Sequence, residues 1–365
     1  RRKAMPNLAR TFDIVRPVFS AEVMTGDIAA RIRELAGRLR LTSAVGFECR
    51  LTADDPQIDL QLGIPFSAAV ELVTVCETVL ASLPGETAES ARQREIWTRL
   101  HEFSLDWVKP NTVFHREIVH VWLEFDVPVN AEAPLIPSVF ATFRPEGGAA
   151  AWAVMEELIR FLPGAGMTAG LESTLALCRR ACSAPAYLGH AGFMLARPVP
   201  GCRVDISELP VGSFATFLWE IQWPGDIAAV QTWAEELRQL VDSVVLCLNA
   251  GDVVYPQIGL EAFFKDPDDA ETPWAPLLEY LVARGLCCDS KRHGLLGWNG
   301  VITPVQCAAV WPEELIVESL LQPADSFGLF RRRLNHVKIS LSPGRAPQAK
   351  AYFGYAHEWR QWDGK

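Results

Sequence analysis

A set of carboxylates stands in runs where apolar and polar residues alternate: Glu48, Asp59, Glu124, Asp126, Glu220 and Glu261. Side chains alternate across an extended strand, so each run sorts into two faces. Val121, Leu123, Phe125 and Val127 face one way, and Trp122, Glu124 and Asp126 the other. By the same rule Glu48 and Arg50 oppose Phe47 and Cys49, and Asp59 and Gln61 oppose Ile58 and Leu60. Glu220 and Gln222 oppose Trp219 and Ile221, which assigns Trp219 and Trp223 to the core, and Glu261 opposes Leu260 and Ala262. In the last hairpin Lys338, Lys350 and Tyr352 oppose Ile339 and Phe353. Carboxylates brought together in one chamber shift each other's pKa and can serve as general acid and base. More often a strand Glu on a polar face is only solvated, so no catalytic residue is assigned.

The elements that must position these groups follow from periodicity and turn chemistry. Helical spacing marks Ala21 to Arg40, where Ile28, Ile32, Leu35 and Leu39 share a side. Further helices are expected over Ser67 to Ser82, Glu89 to Trp107 after a break at Pro84-Gly85, Ala150 to Phe161, Thr168 to Ala181, Asp226 to Leu248 with Asp226 as cap, and Trp274 to Gly285. Strands are expected over Ser43 to Leu51, Gln57 to Ile64, Ile118 to Val127, Ser138 to Phe143, Tyr187 to Ala196, Gly201 to Ser207, Ser213 to Trp223 and Gln257 to Phe264. The final hairpin pairs Val337 to Leu341 with Ala349 to Tyr355 around Ser342-Pro343-Gly344. An echo between Ser138–Phe143 and Ser213–Phe217 allows two repeated halves, about 5–148 and 149–360, but short echoes arise by chance, and a single large domain is expected.

A sheet with one charged face is covered by helices on its apolar face alone, because burying both faces would cost several kcal/mol per charge, in order of magnitude. The expected class is therefore α+β: an open antiparallel sheet backed by helices, or a barrel with helices outside and a polar lumen. The barrel is favoured. It resembles the layout of aromatic prenyltransferases, in which antiparallel strands surround a solvent-filled chamber, and Lys350-x-Tyr352 is similar to the Lys-x-Tyr strands of such enzymes. Holding an isoprenyl diphosphate takes several Arg and Lys. With Arg50, Lys338 and Lys350 set against the carboxylates above, the charged face reads as acidic and would repel such a donor.

Other candidates carry less. The spacing from His115 to His120 does not place two ligands on one helical turn. Cys178 and Cys182 fall on one helix face and read as buried thiols. Gly164-Ala165-Gly166 links two helices without a preceding strand or a following lysine, and Arg331-Arg332-Arg333 reads as a solvated turn. No metal and no cofactor is expected.

The net charge of −10 disfavours nucleic acid and anionic membranes as partners. Nine cysteines, an odd and scattered set with Cys287 and Cys288 adjacent, make a poor disulfide framework and point to a reducing cytoplasm. There is no apolar run long enough to span a membrane, and residues 1 to 4 read as a remnant ahead of Met5.

The segments Ile258-Gly259-Leu260-Glu261-Ala262-Phe263-Phe264, Leu296-Gly297-Trp298, His336-Val337-Lys338-Ile339 and Ala349-Lys350-Ala351-Tyr352 resemble a second family. It comprises accessory proteins encoded beside ribosomally made, modified peptides, in particular those of crocagin biosynthesis. The resemblance implies a chain that binds a precursor peptide for partner maturation enzymes without making bonds itself. The peptide-binding residues would be Glu48, Arg50, Trp122, Glu124, Glu220, Glu261, Lys338, Lys350 and Tyr352. An exposed strand edge would also accept an extended peptide, or a second copy in a homodimer. Prenyl transfer to an aromatic or peptide acceptor is the alternative.

Overall fold

Alternating runs fold as a sheet with one dry face, and the helices between them supply the cover. The computed structural model describes residues 6–39, 43–83, 85, 87–128, 135–163, 166–197, 201–266 and 273–361. Residues 1–5, the expected helix end at Arg40, the break at Pro84 and the linker residues Gly164 and Ala165 lie outside them.

Pairs of helices and strand hairpins succeed one another along the chain. Helices α1 (Leu8–Val15) and α2 (Gly26–Gly37) precede strands β1 (Ala44–Arg50) and β2 (Ile58–Pro65). Next come α3 (Val70–Ser82), α4 (Ala88–Val108), the short α5 (Val113–Glu117), β3 (Ile118–Phe125) and β4 (Ser138–Phe143). Helices α6 (Gly148–Phe161) and α7 (Ala169–Ala181) lead to β5 (Tyr187–Phe193) and β6 (Cys202–Ser207). Helices α8 (Phe214–Glu220) and α9 (Ile227–Arg238) lead to β7 (Ser243–Ala250) and β8 (Val254–Phe263). The last group is α10 (Trp274–Ala283), α11 (Asp289–Leu296), β9 (Gly300–Ile302), α12 (Glu313–Ser319), β10 (Ser326–Leu341) and β11 (Gln348–Gln361).

All pairings are antiparallel. The sheet runs β11-β1-β2-β3-β4-β5-β6-β7-β8-β10 and closes through β10 and β11, so every strand except β9 belongs to a barrel. Closure removes the edges that an open sheet would expose. The short β9 pairs with the outer end of β10 at Phe330 to Arg332. No described helix is long and apolar enough to cross a membrane, and all nine cysteines are free thiols.

Outward-facing side chains and the helices form one core. Leu60, Leu123 and Phe125 are buried in this core together with Trp97, Leu100, Phe103 and Trp107 of α4, while Phe47 packs against Phe12 of α1 at 6.2 Å and Phe19 at 5.2 Å. The Trp97 ring stacks on Phe125 at 6.4 Å, and the Trp107 indole donates to the Ile118 carbonyl at 3.0 Å. Side-chain caps start the helices: Thr25 accepts from the Ile28 amide, Thr87 and Ser90 form a capping box, and Asp226 accepts from the Ala229 amide at 3.0 Å.

Several expectations are corrected. Residues 213–223 are not a strand: Phe214 to Glu220 form α8, which buries Phe214, Phe217 and Leu218 at helical spacing. Trp219 is consequently 74% exposed rather than core, although Trp223 is buried. The repeat echo is thus strand in one copy and helix in the other. The helix beginning at Ile227 stops at Arg238, and the β-branched run after Asp242 forms β7 instead. Arg331, Arg332 and Arg333 lie inside β10, which with β11 extends far beyond the expected hairpin.

Candidate functional site

The lumen is built on glycines. Gly46, Gly63, Gly192, Gly259 and Gly354 lie on inward positions, where the missing side chain lets a neighbour lie flat against the strand. A Cβ on Gly63 would sit 2.7 Å from the Trp122 ring, and one on Gly192 would sit 2.6 Å from the Phe140 ring. Lys338 takes the corresponding space over Gly259. The pleat places Trp122 opposite both Gly63 and Phe140, and Phe140 opposite Gly192, so these side chains form a continuous wall.

This wall borders a cavity of about 390 Å³ in the barrel. His120 stacks on Trp122 at 4.7 Å, and His336 stacks on both Phe263 at 4.5 Å and Tyr352 at 4.1 Å. Burial holds both imidazoles neutral, down to about 4 for His120, where the His190 charge adds to it, and about 4 for His336. They serve as flat aromatic surfaces as much as polar groups. Arg203, Asp205, Glu124 and Glu261 supply charge on the cavity wall.

Ion pairs fill the lumen beside the cavity. Lys338 donates to Glu261 at 2.8 Å, and Glu48 accepts from both the Lys350 ammonium and the Tyr352 hydroxyl. Lys338 and Lys350 stand opposite one another in the β10–β11 ladder, and each turns to a carboxylate on its other side. Burial alone would raise the Glu48 carboxyl, but Lys350 and Tyr352 outweigh it and hold it down at about 2. Glu261 is likewise held low against burial by Lys338 and His336. Glu124, by contrast, is pushed up to about 7 by burial and by the charges of Glu48 and Asp59, while Gln61 donates to it at 2.9 Å. Asp59 rises to about 6 through burial and the charge of Glu48, although its carboxylate accepts from Gln57 and from the Val127 amide at 3.0 Å.

The lumen is less acidic than expected, although its carboxylates still outnumber its cations among the described residues. Arg203 and Arg197 join Lys338 and Lys350, with Arg331 and Arg333 at the cavity rim, and they nearly match the carboxylates. Arg197 binds Asp126 and lies 3.6 Å from Glu124, and Arg331 and Arg333 both bind Glu358. The rim arginines were missed because Arg331-Arg332-Arg333 read as a solvated turn, and a bulge between Leu334 and His336 shifts the register along the strand they occupy. Odd-numbered residues before the bulge and even-numbered ones after it both line the cavity: Arg331 and Arg333, then His336.

Of the residues expected to bind a guest, Trp122, Glu124, Glu261 and Tyr352 line the cavity. Glu48, Lys338 and Lys350 lie in the paired layer beside it. Arg50 does not reach the cavity: it ends β1 and faces Asp55 at 3.4 Å, in a turn pinned by the buried Lys291, which donates to the Arg50 and Asp55 carbonyls. Glu220 is excluded, because it sits exposed on α8 outside the barrel. Arg203 and Asp205 were missed, yet the alternation Arg203-Val204-Asp205-Ile206 within β6 carries the signal used elsewhere.

Asp205, Cys247 and Glu261 bring one potential ligand atom each to within 4.8 Å of one another. The cation at this cluster is the Lys338 ammonium, which binds Glu261 and feels the charge of all three groups. Burial, reinforced by Asp205 and Glu261, raises the Cys247 thiol well above its ordinary range. A protonated thiol beside an ammonium makes a poor metal ligand set. The cluster reads as a cradle for the lysine.

No family model matches the chain, and no curated protein sequence does. Solved structures do match it in fold. The apo form of prenyltransferase PriB aligns over 94% of each chain with a TM-score of 0.53 and 11% identity. The 5-dimethylallyltryptophan synthase from Streptomyces coelicolor covers 95% of this chain and 97% of its own, with a TM-score of 0.51 and 10% identity. The fold is that of the prenyltransferase barrels.

Proposed function

We propose that the lumen is a receptor for an aromatic segment of a peptide, a precursor held for other maturation enzymes, and that this chain does not transfer an isoprenyl group from a diphosphate. The observation that carries this reading is the pairing of Lys338 with Glu261 and of Lys350 with Glu48. A diphosphate brings several negative charges and needs cations free to meet them. Here the lysines are already committed to carboxylates, and adding an anion would strand those acids in a region of low dielectric.

The cavity has the size and the stacked aromatic wall expected of a site that encloses a ring-bearing group. The segments that resemble crocagin-type accessory proteins also contribute to it. Glu261 and Phe263 come from the first of them, His336 and Lys338 from another, and Lys350 and Tyr352 from the last. Trp298, from the remaining one, is buried outside the lumen and donates to the Arg333 and Gly354 carbonyls, bracing the strands that carry these residues.

Prenyl transfer to an aromatic acceptor remains the second reading, favoured by the full-length likeness in fold to PriB and the dimethylallyltryptophan synthase. Calorimetric titration with synthetic aromatic peptides, alongside mass spectrometry of the same peptides incubated with dimethylallyl diphosphate, separates the two. Binding without a mass change is the expected result. Gain of an isoprenyl unit would overturn the receptor reading.

A further inference from the structure

Arg203 stands apart from the other lumen cations. Lys338, Lys350, Arg197, Arg331 and Arg333 each contact a carboxylate, whereas no described residue hydrogen-bonds the Arg203 guanidinium. Its position is nonetheless fixed. Strand β6 pairs it with Gly192, whose missing side chain admits the Phe140 ring, and the guanidinium lies over that ring at 5.7 Å from the centroid. A guanidinium on an aromatic face keeps its planar fork of N–H donors available at the edge. That fork borders the cavity, on the same wall as Trp122 and Glu124.

Resting on the receptor reading above, we infer that the guest is the C-terminal aromatic residue of a peptide, whose free α-carboxylate is gripped by Arg203 while its ring packs against Trp122 and Phe140. A carboxylate is planar and accepts two parallel hydrogen bonds, matching the fork, and its single charge is answered by the one lumen cation not hydrogen-bonded among the described residues. The carboxylates are less available for a free α-ammonium: Glu261 holds Lys338, Glu124 lies beside Arg197 and accepts from Gln61, and Asp205, whose Oδ1 has no partner among the described residues, is pushed towards its neutral form by burial and by the charge of Glu261. An acylated nitrogen, as in a peptide, therefore fits better than the ammonium of a free amino acid.

The test is calorimetric titration of the protein and its Arg203→Gln variant with N-acetyl-L-tryptophan, N-acetyl-L-tryptophanamide, L-tryptophan and inorganic pyrophosphate. The wild type should bind the N-acetyl acid about tenfold or more tightly than the amide. Arg203→Gln should erase that preference, so that the variant binds the acid no more tightly than it binds the amide. Arg203→Lys, which keeps the charge and loses the fork, should retain part of it. Equal binding of acid and amide by the wild type would overturn the carboxylate grip and leave the aromatic receptor standing. Binding of neither would overturn both. Free tryptophan bound more tightly than its N-acetyl form would overturn the peptide end, and pyrophosphate bound more tightly than the acid would do so in favour of a phosphorylated donor. If Arg203→Gln fails to fold, the wild-type ranking of these four probes decides by itself.

Discussion

Lys338 reaches across the β8–β10 ladder to Glu261 at 2.8 Å, and both side chains are nearly withdrawn from water. Removing one partner strands the other, whereas removing both does not. Lys338→Met should lower the free energy of unfolding by about 3–5 kcal/mol. The double variant Lys338→Met with Glu261→Leu should recover most of that loss. Urea unfolding of the two single variants and the double one measures the coupling, and additive losses would contradict the pairing.

Glu124 ties stability to pH. Its folded carboxyl titrates at about 7, above the ordinary 4.5, so between these values the folded state holds a proton that the unfolded chain has released. Stability from this group is greatest below 4.5 and is lost as pH rises towards 7. The neutral His120 and His336, lowered to about 4, act in the opposite direction from 6.5 downward. The comparison must therefore be made against Glu124→Gln. That variant should gain on the wild type as pH rises from 5 to 7.5, as read by urea midpoints at the two values.

Gly63 and Gly192 test the glycine shelf. Gly63→Ala places a carbon 2.7 Å from the Trp122 ring, and Gly192→Ala places one 2.6 Å from Phe140. Each should cost about 1–3 kcal/mol of stability through overpacking. Each should also weaken binding of N-acetyl-L-tryptophanamide, which lacks the carboxylate. Thermal unfolding and calorimetry read the two effects separately.

Trp122 and Trp219 should behave differently despite their shared chemistry. Trp122 borders the cavity, and its replacement by Ala should weaken binding of an aromatic probe about tenfold or more. Trp219 is exposed on α8, so Trp219→Ala, and equally Glu220→Ala, should leave binding unchanged and stability within about 0.5 kcal/mol. Titrations of the three variants side by side provide the check.

Alternation alone identified the charged inner surface and the helices that cover the opposite face. Val121, Leu123 and Phe125 are buried in the core outside the barrel, where Phe125 meets Trp97 of α4, while Trp122 and Glu124 line the lumen, because a strand has a period of two wherever it runs straight. The alternative between an open sheet and a barrel was also legible, since exposed acids cannot be covered by helices without partners. The same rule applied to β6 finds Arg203 and Asp205.

Which carboxylate meets which cation was a matter for the assembled barrel. Glu48 finds Lys350 about 300 residues away because β1 pairs with β11 at closure, and no local pattern encodes that pairing. Ahead of the bulge in β10, Arg331 and Arg333 face the cavity while Arg332 turns away to the Trp298 carbonyl, and tertiary burial of Phe214, Phe217 and Leu218 made a helix of residues that were read as a strand. Charge balance inside the lumen follows from these long-range choices. Sequence counts the charges on each strand, but their electrostatic meaning depends on distance and burial, and those exist only once the ring of strands has closed.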